Sequence, residues 1–193
     1  MWAHTKTAGR MLRSGTRMAE IIADVLDFTR GRLGTGIPIV RDEMDLEMVC
    51  RQAVDELIAF HPDRTVHFDA SGPLVGRWDQ ARIGQLVSNL VGNAYQHGTP
   101  DTPIDVTVRG EPDSVVVSVR NQGPVIPSVD LREIFNPFRQ LGPSTSTKGG
   151  SIGLGLYIVQ AIVTAHLGTI KVNSDVRGTT FTVQLPRISD TMA

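Results

Sequence analysis

The chain has 193 residues, 19 basic side chains against 20 acidic ones, and a single cysteine. That length suits one ordinary domain, or one domain with an appendage. The near-zero net charge gives no support to a nucleic-acid or anionic-membrane surface, no apolar run reaches the ~20 residues that span a bilayer, and the opening M-W-A-H-T-K-T-A-G-R has no apolar signal core.

Residues 8 to about 33 read as one helix. Met11, Met18, Ile21, Ile22, Val25 and Phe28 recur at helical spacing, and Met11, Met18 and Val25 sit seven apart. A helix cannot bury such a stripe alone. It lies on its own domain, or it is half of a helical hairpin that pairs with a second chain. Gly31, Gly34, Gly36 and Pro38 then make a short linker. Ile37 to Val40 fits a first strand. Asp45 caps a helix with Leu46, Val49, Cys50, Ala53, Val54, Leu57 and Ile58 on its inner face, and Pro62 stops it. Cys50, alone and among apolar positions, reads as core. With no partner for a disulfide, it points to a soluble, reducing, cytoplasmic setting. Thr65 to Asp69 is a short alternating strand. Ser71-Gly72-Pro73 turns, and Gly76-Arg77-Trp78 leads into the next helix.

That helix, opened by the N-cap Asp79, organises the rest. Ile83, Leu86, Val87, Leu90, Val91 and Ala94 form its apolar face. Gln85, Asn89, Asn93, Gln96 and His97 recur on the other side. Asn89 and Asn93, four apart, present their amides together. Asn is a mediocre helix former, so two on one face point to a task. An amide oxygen is a hard ligand of the type Mg2+ takes alongside phosphate oxygens. A solvated helix face fits the same pattern.

Gly98-Thr99-Pro100 breaks the chain. Ile104, Val106 and Val108, then Val115, Val117 and Val119, alternate with polar residues and make a hairpin with one buried face. Residues 121–151 hold no long periodic segment beyond a short stretch near Leu131–Phe135. A loop this long in a compact domain is usually functional or mobile. A helix follows over 154–166, then strands Ile170–Asn173 and Thr179–Leu185. The layout α-β-α-β-β-loop-α-β-β predicts an α+β two-layer sandwich, a mixed, mostly antiparallel sheet covered on one face by helices, preceded by the N-terminal helix.

Three further stretches carry chemistry. Arg120-Asn121-Gln122-Gly123-Pro124-Val125 ends a strand. Its glycine permits close ligand approach, and Asn121 can offer a carbonyl to an amino donor such as that of adenine. A plain turn reads the same way. Ile134-Phe135-Asn136-Pro137-Phe138 sets two aromatics around a turn. Gly149-Gly150-Ser151-Ile152-Gly153-Leu154-Gly155 opens a helix, where bare backbone N–H groups make an anion site.

In this order and spacing the four stretches resemble the N, G1, F and G2 boxes of the catalytic and ATP-binding domain of sensor histidine kinases. That domain has the Bergerat fold, shared with DNA gyrase and MutL. The resemblance covers residues from about 38 to 186, through S-N-L-V-G-N-A, F-N-P-F, G-L-G-L-Y-I-V and G-T-T-F-T-V-Q-L-P. Residues 8–33, ending L-D-F-T-R, resemble the second helix of the family's dimerisation and phosphotransfer hairpin. The resemblance thus implies a partial hairpin helix and linker over 1–36 and a kinase domain over 37–188.

It also implies cofactors, partners and roles. Asn93 would hold Mg2+ between the ATP phosphates, with Asn89 beside it. Hydrolysing relatives carry a glutamate at the position of Asn89, and an amide cannot usefully accept a proton, so transfer to a protein acceptor is favoured. Asn121 stands where the family has an aspartate for adenine, Val125 where a second glycine is usual, and Gln96 where Lys or Arg is usual. His97, Gly123, Gly150, Gly153, Leu154, Gly155 and Thr179 complete the implied nucleotide site, and Lys148 either reaches a phosphate from the loop or is a solvated loop lysine. None of the five histidines has the acceptor's context, so the acceptor is expected on a helix upstream of Met1. His166 reads as a helix-end cap. The implied activity is transfer of the γ-phosphoryl group to a histidine outside this chain and on to a response-regulator receiver domain. The hairpin implies a homodimer, no nucleic acid is implied, and any membrane link runs through a parent chain. The alternatives are a dimerising adaptor that has lost ATP, or a serine-directed kinase of the anti-sigma type.

Overall fold

The computed structural model describes residues 15, 18–19, 21–30, 36–139 and 152–187. Helix α1 covers 21–30. There follow β1 (Asp42–Asp45), α2 (Leu46–Phe60), β2 (Val66–Ser71), β3 (Val75–Trp78), α3 (Gln80–His97), β4 (Ile104–Gly110), β5 (Ser114–Asn121), the single turn α4 (Ser128–Leu131), α5 (Gly155–Ala165), β6 (Thr169–Asp175) and β7 (Gly178–Pro186). Five strands form one sheet in the order β2-β4-β5-β7-β6. Only β2 and β4 run parallel; the other pairs are antiparallel. The two-layer α+β architecture read from the sequence is the one observed.

The layers meet because the periods match. Val106, Val108, Val117, Val119, Phe181 and Val183 alternate onto one sheet face, and Leu86, Leu90, Ile158 and Ile162 recur at helical spacing opposite them; all are essentially fully buried. Cys50 lies in this core at the inner face of α2. Burial, with the Asp45 carboxylate adding to it, pushes its thiol up to about 12, so it stays protonated and inert. Among the described residues no helix is long and apolar enough to cross a membrane.

Two local readings are corrected. Ile37–Val40 is not a strand. Pro38 has no N–H to give a ladder, and Val40 instead donates its N–H to Asp79 Oδ2 at 2.8 Å. The first strand is Asp42–Asp45, a D-E-M-D run of low strand propensity. It pairs antiparallel with Val75–Trp78, where the sequence suggested only a lead-in. This two-stranded sheet is held by Trp78, which is fully buried and donates its indole N–H to Pro186 O at 3.1 Å.

The stripe on α1 is also divided. Ile21 and Phe28 are half-buried, while Met18, Ile22, Val25 and Leu26 are exposed. The residue most deeply buried is polar: Asp27, 3% exposed. Arg82 Nη1 donates to its carboxylate at 2.5 Å and Gln85 Nε2 at 3.2 Å. A buried carboxylate is tolerated only when paired, so Arg82 on α3 decides which edge of α1 docks. Phe28 adds edge-on contacts to Phe138 and Tyr157, with ring centroids 5.0 and 5.5 Å away. Asp27→Ala is expected to speed amide exchange in residues 21–30 by about tenfold or more, the loss of a charged hydrogen bond. Domain unfolding in urea should shift little.

His166 ends α5 as the sequence suggested. Its Nδ1 donates to Ile162 O at 2.9 Å, which leaves Nε2 to accept from Asp79 N–H at 3.1 Å. The end of α5 thereby holds the start of α3. Burial is the main force lowering the His166 pKa; the Ile162 carbonyl opposes it, Arg41 adds to it and Asp79 opposes it. The neutral ring is the native form. The stability it contributes is complete above the usual imidazole range and is lost as pH falls through the lowered value. Urea midpoints should fall on acidification across that window, and more steeply for the native chain than for His166→Gln.

Candidate functional site

The site is built on α3. Asp79 Oδ1 accepts from Arg82 N–H at 3.1 Å and closes the first turn. With Ile83, Leu86, Val87, Leu90, Val91 and Ala94 in the core, Asn89 and Asn93 flank that face on the side of Leu86 and are half-buried, while Gln96 and His97 are exposed on the last turn. Asn89 does not face bulk water. Its Oδ1 lies 3.5 Å from where a Cβ on Gly155 would stand, at the first turn of α5. Its Nδ2 is buried with no hydrogen-bond partner among the described residues. Buried donors are seldom left so; a phosphate oxygen or a water would satisfy it. No side chain caps α5 at Leu154, and the first-turn N–H groups of a helix have no partner within it.

The other end of α3 meets the turn after β5. Thr99 N–H donates to Gln122 O at 2.7 Å, which brings Gly98 beside Gln122 and Gly123. Asn121, 4% exposed, donates from Nδ2 to Gln122 O at 3.1 Å. That bond leaves Oδ1 as the free acceptor of the amide. A neutral amide here avoids the desolvation cost a buried carboxylate would carry. The β5–β7 register sets Asn121 opposite Thr179, also 4% exposed.

The aromatic stretch and the glycine loop are joined. Phe138 N–H donates to Gly153 O at 2.9 Å. Gly153 has φ +75°, and a Cβ there would sit 2.9 Å from Arg139 O, so both conformation and space demand glycine. Phe135 turns inward, edge-on to Phe181 at 6.4 Å, and Phe138 turns out toward Phe28. The described parts of the four motifs are therefore neighbours: Gly155 lies by Asn89, Gly153 by Phe138, and Gly123 by His97 and Gly98.

A family model described as "Histidine kinase-, DNA gyrase B-, and HSP90-like ATPase" matches residues 78–189. The chain belongs to this family. Its relatives include the probable sensor histidine kinase TcrY of Mycobacterium tuberculosis, 36% identical over 178 residues, which are 92% of this chain and 37% of TcrY. The isolated catalytic domain of histidine kinase ThkA superposes with a TM-score of 0.65 at 29% identity, over 78% of this chain and 97% of that one. ThkA in complex with the response regulator protein TrrA gives 0.67 at 25% identity, over 92% and 49%. Full-length ShkA in complex with AMPPNP gives 0.74 at 26% identity, over 92% and 37%. The chain spans less than half the length of the curated relatives it matches. Its fold is that of histidine kinase ATP-binding domains.

Within this family frame, Lys148 and Gly150 lie outside the described residues. Val125 is 49% exposed. Sequence reasoning missed two residues that shape the pocket. Gly178, at the head of the G-T-T-F-T-V-Q-L-P stretch, has φ +126°, and a Cβ there would lie 2.2 Å from Asn121 O. Gly178→Ala is expected to displace Asn121, costing about 1–3 kcal/mol of stability and lowering ADP affinity about tenfold or more. Thermal melts and equilibrium titrations check both. The second is Ser174. Ile170, Val172 and Ser174 share the inward period of β6, so a hydroxyl on an otherwise apolar row was the available signal.

Proposed function

We propose that the pocket around α3 binds Mg-ATP and passes the γ-phosphoryl group to a histidine outside this chain, from which a response-regulator receiver domain takes it. Asn89 carries this reading. Its amide is held against the N-terminus of α5 with one donor unanswered, which is where an anion is expected. The first-turn N–H groups of α5 and Asn89 Nδ2 bind phosphate oxygens. Asn121 Oδ1 accepts from the adenine amino group beside Thr179, and Gln96 and His97 form the rim. Asn93, with Asn89 next to it, would hold Mg2+, which supplies charge neutralisation when bound. Lys148, outside the described residues, is assigned a phosphate contact on the family resemblance alone. Neither amide can deprotonate water, so these residues position and neutralise, which is most of what phosphoryl transfer requires.

The printed descriptions of ShkA with AMPPNP and of ThkA with a response regulator protein support the nucleotide and the partner. The exposed apolar edge of α1 at Met18, Ile22, Val25 and Leu26 suits pairing in a dimeric hairpin. The setting is cytoplasmic, with any membrane attachment in a longer parent. The test is incubation with γ-labelled ATP, alone and with a histidine-bearing hairpin in trans. Label on the hairpin alone is expected. Label on the isolated chain would contradict the assignment.

A further inference from the structure

Three neighbouring strands each end an apolar row on a polar side chain at the same level. On β5 the row Val115, Val117, Val119 ends in Asn121; on β7 the row Leu185, Val183, Phe181 ends in Thr179; on β6 the row Ile170, Val172 ends in Ser174. The register makes this one continuous line, Asn121 opposite Thr179 and Thr179 opposite Ser174. Ser174 Oγ lies 2.8 Å from Thr179 Oγ1. It also accepts the backbone N–H of Ile126 at 2.9 Å. Ser174 thus ties the segment after β5 to the strand pair β6–β7 and puts its hydroxyl against that of Thr179.

We propose that Ser174 is a positioning residue for nucleobase recognition, acting through Thr179. This rests on the nucleotide reading above and deepens it. Ser174 Oγ spends one lone pair on Ile126 N–H. Its own proton is then free to go to Thr179 Oγ1, and Thr179 can turn its proton outward without leaving its buried oxygen unanswered. Asn121, whose Oδ1 is left as an acceptor by the bond from its Nδ2 to the Gln122 carbonyl, is the register partner of Thr179. Acceptor and donor side by side match a 6-amino purine, whose amino group donates and whose adjacent N1 accepts. A 6-oxo purine presents the reverse order.

The test is a cycle between protein and ligand. ADP, 1-deaza-ADP and 7-deaza-ADP are titrated against the native chain, Ser174→Ala, and Ser174→Cys, which fills the space but bonds weakly. Both variants are expected to bind ADP and 7-deaza-ADP about tenfold more weakly. Affinity for 1-deaza-ADP, already reduced for the native chain, should change less than twofold, and Ser174→Thr should restore ADP binding. Equal losses on all three ligands would make Ser174 merely structural and overturn the proposal, as would no loss on any. Should Ser174→Ala fail to fold, Ser174→Cys and Ser174→Thr decide between the same outcomes. A native chain that takes up none of the three overturns the nucleotide site itself, a result distinct from a site that binds ADP but ignores Ser174.

Discussion

Asn93→Ala is expected to lower phosphoryl transfer to a hairpin supplied in trans by about 10²–10³-fold, the scale seen when one preorganised charge-stabilising contact is lost. The fold should tolerate the change. Asn93 is half-buried at the flank of the core face of α3, one turn from Leu90 and two from Leu86, and alanine is the better helix former by several tenths of a kcal/mol. Unfolding in urea should therefore be unchanged or slightly delayed while transfer collapses. The dependence on Mg2+ gives the finer readout. ADP without metal should bind Asn93→Ala nearly as well as the native chain, and the gain from added Mg2+ should disappear. Asn93→Asp, which keeps an oxygen ligand, should retain part of that gain. Equal loss of ADP binding with and without metal would place Asn93 in base or phosphate contact instead.

Trp78→Ala carries the largest expected effect on stability. The side chain is the largest of those fully buried, and its indole N–H is satisfied by Pro186 O. Truncation removes its buried apolar surface, leaves a cavity and strands an acceptor at the end of β7, for a loss of about 3–5 kcal/mol. Against a typical total of about 5–15 kcal/mol, that threatens the fold. Trp78 precedes the α3 cap Asp79, and β3, on which it sits, holds β1 against the main sheet. The damage should thus reach the start of the Asn89–Asn93 helix. Urea unfolding should show a lower midpoint at an unchanged slope, with Trp78→Phe losing markedly less. A midpoint within 1 M of native for Trp78→Ala, at the usual slope of about 1–3 kcal/mol per M, would show that the two-stranded sheet is dispensable.

Much of this architecture is legible in the sequence because period and burial coincide. The inner faces of α2, α3 and α5 and the valine alternation of β4 and β5 follow from spacing alone. Asn121 and Thr179 are polar at the ends of otherwise apolar rows, and Asn89 stands out because a second asparagine follows it one helical turn on. What spacing cannot show is long-range pairing. The D-E-M-D strand forms because Val75–Trp78 is there to pair with it, not through its own propensity. Asp27 sits inside an apolar stripe, and its burial depends on Arg82, 55 residues away. Gly178 and Ser174 became functional candidates only once the register set them beside Asn121 and Thr179.

The departures from the family pattern at Asn121 and Val125 bear on affinity, which makes binding the central question. Calorimetric titration of the chain with a non-hydrolysable ATP analogue and Mg2+ answers it most directly. The account predicts one saturable site, with the metal's contribution removed by Asn93→Ala. A flat titration would contradict it and leave a scaffold that keeps the fold and the docked α1 without the nucleotide.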